Sequence, residues 1–171
     1  MAGSFFETDY AAFVAWKALG FPGGRVENGF SMAALRTADG AFLLGEMAAH
    51  THNAGQIYFP AGTPDLEDVF GDRVDLDASA RRELKEETGI DASEAIVAPG
   101  WTVVLAPGRI AAMKRMTLPV SAEEARARID ALLAADPEAE FSRIHIVRSP
   151  ADIDERLTPP FVAAYIRAEL G

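Results

Sequence analysis

Three glutamates fall within five consecutive positions, Glu83, Glu86 and Glu87, in the stretch RRELKEETGI that runs from residue 81 to 90. Spacings of three and four residues place Glu83 beside both of the others on one face of a helix. Like charges so placed cost a few tenths of a kcal/mol per pair, and Glu86 and Glu87 also stand near the negative end of the helix. Arg82 reaches Glu86 four residues on and leaves the other two uncompensated. Either this is a solvated charged face or it holds a divalent cation. Hard oxygen ligands suit Mg2+ or Mn2+, and a chain with no cysteine and only three histidines offers little to zinc.

The order Arg-Glu-Leu-any-Glu-Glu-any-Gly-Ile over residues 82 to 90 resembles the second half of the Nudix box, the signature of the Nudix hydrolases. Upstream, the FPAG stretch resembles the entry to that box, with Ala61 where a first glycine usually stands and Gly62 at the second. The family places five residues between that glycine and a glutamate, and seven between the glutamate and the arginine. Counting forward from Gly62 reaches Asp68, whereas counting back from Arg82 reaches Val74, a disagreement of six residues. An insertion within DVFGDRVDLD accounts for it, since loops accept added residues at small entropic cost. Residues 63 to 76 are therefore expected to form a lengthened loop before the helix. Asp68 has a carboxylate to turn toward the metal or toward Arg82, its neighbour Glu67 is the next choice, and Val74 has no polar atom to offer.

The resemblance implies an α/β fold, the Nudix-type α/β/α sandwich on a mixed β-sheet, as one domain over residues 1 to 171. It implies that Glu83, Glu86 and Glu87 hold Mg2+ or Mn2+ with help from the backbone carbonyl of Ala61, that Arg82 orients Glu83, and that Gly89 caps the helix in a left-handed conformation. The activity implied is cleavage of the diphosphate linkage of a nucleoside diphosphate joined to another group. Family members often add a catalytic glutamate outside the box, for which Glu140 is the first candidate, followed by Glu138 and Glu124. Each of these also reads as an ordinary surface carboxylate. The alternative is a non-hydrolytic Nudix-fold domain that binds a nucleotide for regulation. Such a domain is expected to lack a metal carboxylate, and none of the three is missing. A generic acidic interaction domain is the third reading.

Other residues carry weaker signals. Arg109, Lys114 and Arg115 make a small basic island in an acidic chain and are candidates for binding a phosphorylated substrate. His50 and His52 alternate in a way that could line a pocket, although a solvent loop explains them as well. Tyr58 and Trp101 could stack on a base, or simply pack on a sheet.

The elements that must position these side chains follow from pattern. Residues 10 to 19 have helical spacing and stop at Gly20 and the FPGG turn, which reads as a packing helix. Two apolar runs flank Asp39-Gly40, a hairpin signal. A strand over 56 to 59 runs into the FPAG turn. A helix follows over about 76 to 88, with Asp75 or Asp77 as its N-cap and Gly89 just past its end. Residues 101 to 106 and 110 to 120 read as strands around a PGR turn. Ser121 and Glu124 have capping-box spacing at the start of a helix over 121 to 136. A strand over 141 to 149 and a helix over 159 to 170, with proline in its first turn, close the chain.

Composition sets the frame. The 171 residues suit one domain, hydrophobic residues are 49% and charged residues 25%, and no apolar run approaches a membrane span. The first ten residues show no basic and apolar pattern of a secretory signal, which points to a cytoplasmic protein. A formal net charge of −10 argues against a nucleic-acid polymer or an anionic membrane as partner. A small phosphorylated substrate remains the expected partner, and a homodimer stays open.

Overall fold

The computed structural model describes residues 3–24 and 26–171. A mixed sheet forms its centre. Strands β1 (Asn28–Arg36), β2 (Phe42–Met47), β9 (Arg109–Thr117) and β10 (Phe141–Val147) run in the order β10-β2-β1-β9. β1 and β9 pair in parallel over nine residues from Asn28↔Arg109 to Arg36↔Thr117, while β10 pairs antiparallel with β2. Short strands complete the sheet: β3 (Ile57–Tyr58) on β2, β4 (Ala61–Gly62) on β1, and both β7 (Ile96–Val97) and β8 (Thr102–Ala106) on β9. The β8–β9 turn is Pro107-Gly108, with Gly108 at φ +72, the conformation that a type II turn demands of its third residue.

Helices α2 (Leu76–Thr88), α3 (Ala122–Ala135) and α4 (Pro160–Leu170) cover the sheet. Two consecutive β9 residues reveal the layers, because neighbours on a strand point to opposite faces. Lys114 pairs with Asp77 of α2, and Arg115 pairs with Glu169 of α4. Beneath α4, the rings of Phe42, Phe59 and Tyr165 meet edge to face or tilted, with centroids 5.4–5.8 Å apart. On the other face, Leu84 of α2 and Ile129 of α3 are fully buried, and truncating either to alanine would cost about 2–5 kcal/mol.

The helix that carries the glutamates begins and ends where the sequence says it should. Asp75 is the N-cap, accepting from the N–H groups of Asp77 and Ala78 at 3.0 Å. Gly89 closes the other end at φ +69, its N–H donating to Lys85 O at 2.8 Å, a conformation that charges any Cβ a steric cost. Ser121 caps α3 on the Glu124 N–H at 3.3 Å.

Two expectations are corrected. The segment expected to be a plain loop over 63 to 76 contains a 3-10 turn (Leu66–Asp68) and a hairpin, β5 (Val69–Phe70) and β6 (Arg73–Val74), turning at Gly71. Strands of two residues each are too short to show a period in sequence. The amino-terminal helix α1 (Tyr10–Ala18) forms, but it buries none of its side chains, so it is not the packing element that its apolar spacing suggests.

Candidate active site

The α2 glutamates meet the loop that enters β4. Gly62 lies so close to the Glu83 carboxylate that a Cβ there would collide with it, which gives the glycine of FPAG a physical role. The Ala61 N–H donates to Glu87 Oε2 at 3.1 Å. Thus the Ala61 contact observed is made by its amide, whereas the resemblance points to its carbonyl. The three carboxylates differ in depth: Glu87 is 5% exposed, and the side chains of Glu83 and Glu86 are 13% and 57% exposed.

Arg82 organises the cluster. Its Nη1 donates to Glu86 Oε2 at 3.1 Å and forms a salt bridge to Glu83 Oε1 at 2.9 Å, and its Nη2 donates to Asp68 Oδ2 at 2.9 Å. Asp65 stands 3.6 Å from the same nitrogen. Asp68 is buried, and its second role is to accept the Asp65 N–H at 3.1 Å, closing the turn. The carboxylate that reaches Arg82 is therefore that of Asp68. Glu67 is exposed, and Val74 lies in the hairpin. The hairpin leaves and rejoins the chain at one point, since the Asp75 N–H donates to Asp68 O at 2.8 Å. It spans Val69–Val74, six residues, the same number by which the two counts through the motif disagree.

Burial and mutual repulsion act together on this cluster. Burial is the main cause that lifts Glu83 to about 7, with Glu86, Glu140 and Asp68 adding to it and Arg82 opposing. Burial also pushes Glu87 well above the usual carboxylate range, reinforced by Glu83 and Glu140 and relieved in part by the Ala61 N–H. Burial of Glu87 and the mutual repulsion of Glu83 and Glu87 favour uptake of a proton or a further cation. Their oxygen donors fit a hard divalent ion. Glu83, Glu86 and Glu87 are the residues that would hold it. In the arrangement seen, however, no three acidic or imidazole groups among the described residues converge into a ready cage, because Glu83 and Glu86 are turned toward Arg82 and Glu87 toward Ala61.

Glu140, in the turn that leads into β10, is exposed, and its charge acts on Glu83, Glu87 and Tyr58. It therefore borders the cluster. Glu138 and Glu124 are exposed, and neither is among the charges that raise Glu83 or Glu87.

The basic island is not brought together. Lys114 is buried against Asp77 at 2.9 Å with the Trp101 ring 4.8 Å from its nitrogen, and Arg115 is paired with Glu169 at 2.9 Å on the opposite face. Alternation along β9 separates them, and both are already neutralised. Arg109 opens the strand beside Phe21 and Phe161. Trp101 thus packs on a lysine, and Tyr58 is buried with its hydroxyl accepting from Asn53 Nδ2 at 3.2 Å. His52 meets the Tyr10 ring edge-on, and His50 lines a cavity of about 400 Å³ between α3 and β10. That cavity, and a smaller one of about 120 Å³ beside Trp101, both lie away from the glutamates. The residue that sequence reasoning passed over is Lys17, whose partner Asn53 lies 36 positions away. No local pattern announces such a pair.

Comparison with known proteins gives a consistent result for the fold. No protein-family model matches the sequence, and no curated protein matches it. Solved structures do. The Nudix hydrolase RenU from M. smegmatis superposes with a TM-score of 0.56 at 16% identity, covering 84% of this chain and 83% of its own. MutT protein from Methanosarcina mazei Go1 gives 0.55 at 17% identity, covering 84% and 93%. The Nudix domain of Shewanella oneidensis NrtR, solved with ADP ribose, gives 0.53 at 16% identity and covers 95% and 96%. At these identities the likeness speaks for architecture alone: the chain has the Nudix fold.

Proposed function

We propose that the protein is a divalent-metal-dependent pyrophosphohydrolase, cleaving the diphosphate linkage of a nucleoside diphosphate joined to another moiety, with Mg2+ or Mn2+ as the metal. The observation that carries this reading is the repelling pair Glu83 and Glu87, of which Arg82 pairs with the first while among the described residues no cation pairs with the second. Bound there, the metal would supply charge neutralisation at the phosphate oxygens and acidify a water.

The chain's own residues do the rest. Arg82, gripped by Asp68, fixes the orientation of Glu83. Gly62 and Ala61 bring backbone close to the carboxylates, which an added side chain would prevent. Glu140 is the base: as water attacks phosphorus and the bond to the bridging oxygen breaks, the water proton passes to its carboxylate. The products are two phosphate-bearing fragments. Two structural relatives accord with a phosphorylated small molecule as substrate, since one was solved with ADP ribose and another is an Ap4A hydrolase from C. elegans. A regulatory domain that binds without cleaving is disfavoured by the complete set Glu83, Glu86 and Glu87. Among the described residues no helix is long and apolar enough to cross a membrane.

The test is a product screen over nucleoside triphosphates, ADP-ribose, dinucleoside polyphosphates, sugar nucleotides and coenzyme A with Mg2+ and Mn2+. Metal-dependent release of phosphorylated products from one class supports the reading. Tight ligand binding without release in any class would replace it with the regulatory one.

A further inference from the structure

The amino-terminal segment supplies a cation that the reading above leaves unused. A nine-residue helix that buries no side chain is marginal on its own, so α1 depends on contacts at its C-terminal end. Lys17 Nζ donates to Asn53 Oδ1 at 2.9 Å, and the Trp16 indole N–H donates to Pro22 O at 3.0 Å. The Trp16 and Phe21 rings meet edge to face at 4.8 Å. Phe21 has φ +62, in the left-handed region that only glycine adopts freely, and it is held there against Gly108, where a Cβ would strike its ring. A conformation of that kind persists where the surroundings fix it. The result is a ring set beside the Arg109 guanidinium, whose carbon is 4.7 Å from the centroid, with the Phe161 ring at 6.0 Å.

Two half-buried cations thus lie near enough for their charges to act on each other. Burial first, and then the charge of Arg109, lower the Lys17 pKa, and burial alone lowers that of Arg109. Among the described residues neither is joined to a carboxylate, whereas Lys114 and Arg115 both are. In a chain of net charge −10, carboxylates to pair them are not scarce. The pair also connects to the glutamates, because Asn53 holds Lys17 with its oxygen and Tyr58 with its nitrogen, and Tyr58 feels the charges of Glu87 and Glu140.

We propose that Lys17 and Arg109 form an anion subsite that is joined through Asn53 to Tyr58 and takes a phosphate of a nucleotide while the Phe21 ring borders its base. As a statement about substrate it rests on the hydrolase reading, and it selects polyphosphate nucleotides over those whose far end is an uncharged sugar. Charge-assisted hydrogen bonds from two cations suit a phosphate group, and an aromatic face suits a base.

The test is binding of ATP to the full chain in excess chelator, where the bare carboxylates repel the ligand and only a cation pair favours it. Trp16 fluorescence in a Trp101→Phe background reports the event, with adenosine as the uncharged control. Saturable ATP binding is expected, absent for adenosine. It should weaken at least about tenfold, the loss of one charge-assisted hydrogen bond, in Lys17→Gln and in Arg109→Gln, and recover in Lys17→Arg and Arg109→Lys. If a glutamine variant loses its far-ultraviolet helix signal, Asn53→Ala, which releases Lys17 without removing a charge, should weaken ATP binding in its place. No saturable binding, or binding unchanged in these variants, overturns the subsite. The two readings fail separately: ATP binding as described with no hydrolysis of any substrate removes the hydrolase and leaves the subsite, while hydrolysis with binding indifferent to both cations removes the subsite alone.

Discussion

Replacing Glu83 by glutamine should stabilise the metal-free protein at alkaline pH while disabling it. The folded protein raises Glu83 from an ordinary 4.5 to about 7, chiefly by burial, and at about 1.4 kcal/mol per pH unit its full ionisation costs about 3 kcal/mol. The side chain is 13% exposed, so little of this is screened away. The sign follows from linkage: a carboxylate whose folded pKa is raised is harmless below its unfolded value, and stability falls as pH rises from about 4.5 through 7. Between pH 5 and pH 8 the wild type should therefore lose about 2–3 kcal/mol relative to Glu83→Gln. In a protein of this size that is about 5–10 °C in Tm. Relief of Glu87, which Glu83 also raises, acts in the same direction. The assay is thermal unfolding of both proteins in chelator at pH 5 and pH 8, repeated at pH 8 with Mg2+. Mg2+ should raise the wild type and leave the variant nearly unmoved. Parallel Tm shifts of the two proteins with pH, together with an equal Mg2+ response, would refute the reasoning.

Removing Val69–Val74 and joining Asp68 to Asp75, whose backbones already share a hydrogen bond, should leave a folded enzyme with an altered substrate ranking, because the exposed Phe70 and Val69 go with it. An unchanged ranking in the screen described above would make the hairpin merely structural. Asp68→Ala should lower kcat at least about tenfold by freeing Arg82 from one side, and should lower Tm, since the half-buried Arg82 loses one of its carboxylate partners. Glu67→Ala should do neither, and kinetics on the pair decides it. Gly62→Ala should cost about 1–3 kcal/mol in denaturant unfolding, through the collision with Glu83. A wild-type midpoint and wild-type activity in that variant would show that the carboxylate can move aside.

Much of this site was legible because its order is local. Glu83, Glu86, Glu87 and Arg82 lie on one helix whose cap Asp75 and stop Gly89 are coded within a few residues of its ends, and helical geometry does the rest. Glu140 enters a strand recognisable by alternation, and its charge acts on Glu83 and Glu87. The Asp68–Arg82 contact followed from counting, since a hairpin that closes on itself leaves the spacing outside it intact. The basic island failed for a reason the sequence also contains: Lys114 and Arg115 are adjacent on a strand, and adjacent strand residues face apart. Lys17 was illegible, because nothing near it in the chain marks Asn53 or Arg109 as neighbours. The apolar spacing of α1 misled for a related reason, as its aromatic residues contact one another and Tyr10 meets His52 without reaching the core.

The central claim is that the α2 carboxylates hold the cation that drives cleavage of a diphosphate. Steady-state turnover of the best substrate in the product screen, measured with and without Mg2+ for the wild type, Glu86→Gln and Glu87→Gln, tests it most directly. Each swap preserves shape and removes a charge, so both variants should melt at or above the wild-type temperature while kcat falls at least about a hundredfold, several kcal/mol of transition-state stabilisation. Metal-dependent turnover at the wild-type rate in both folded variants would contradict the account.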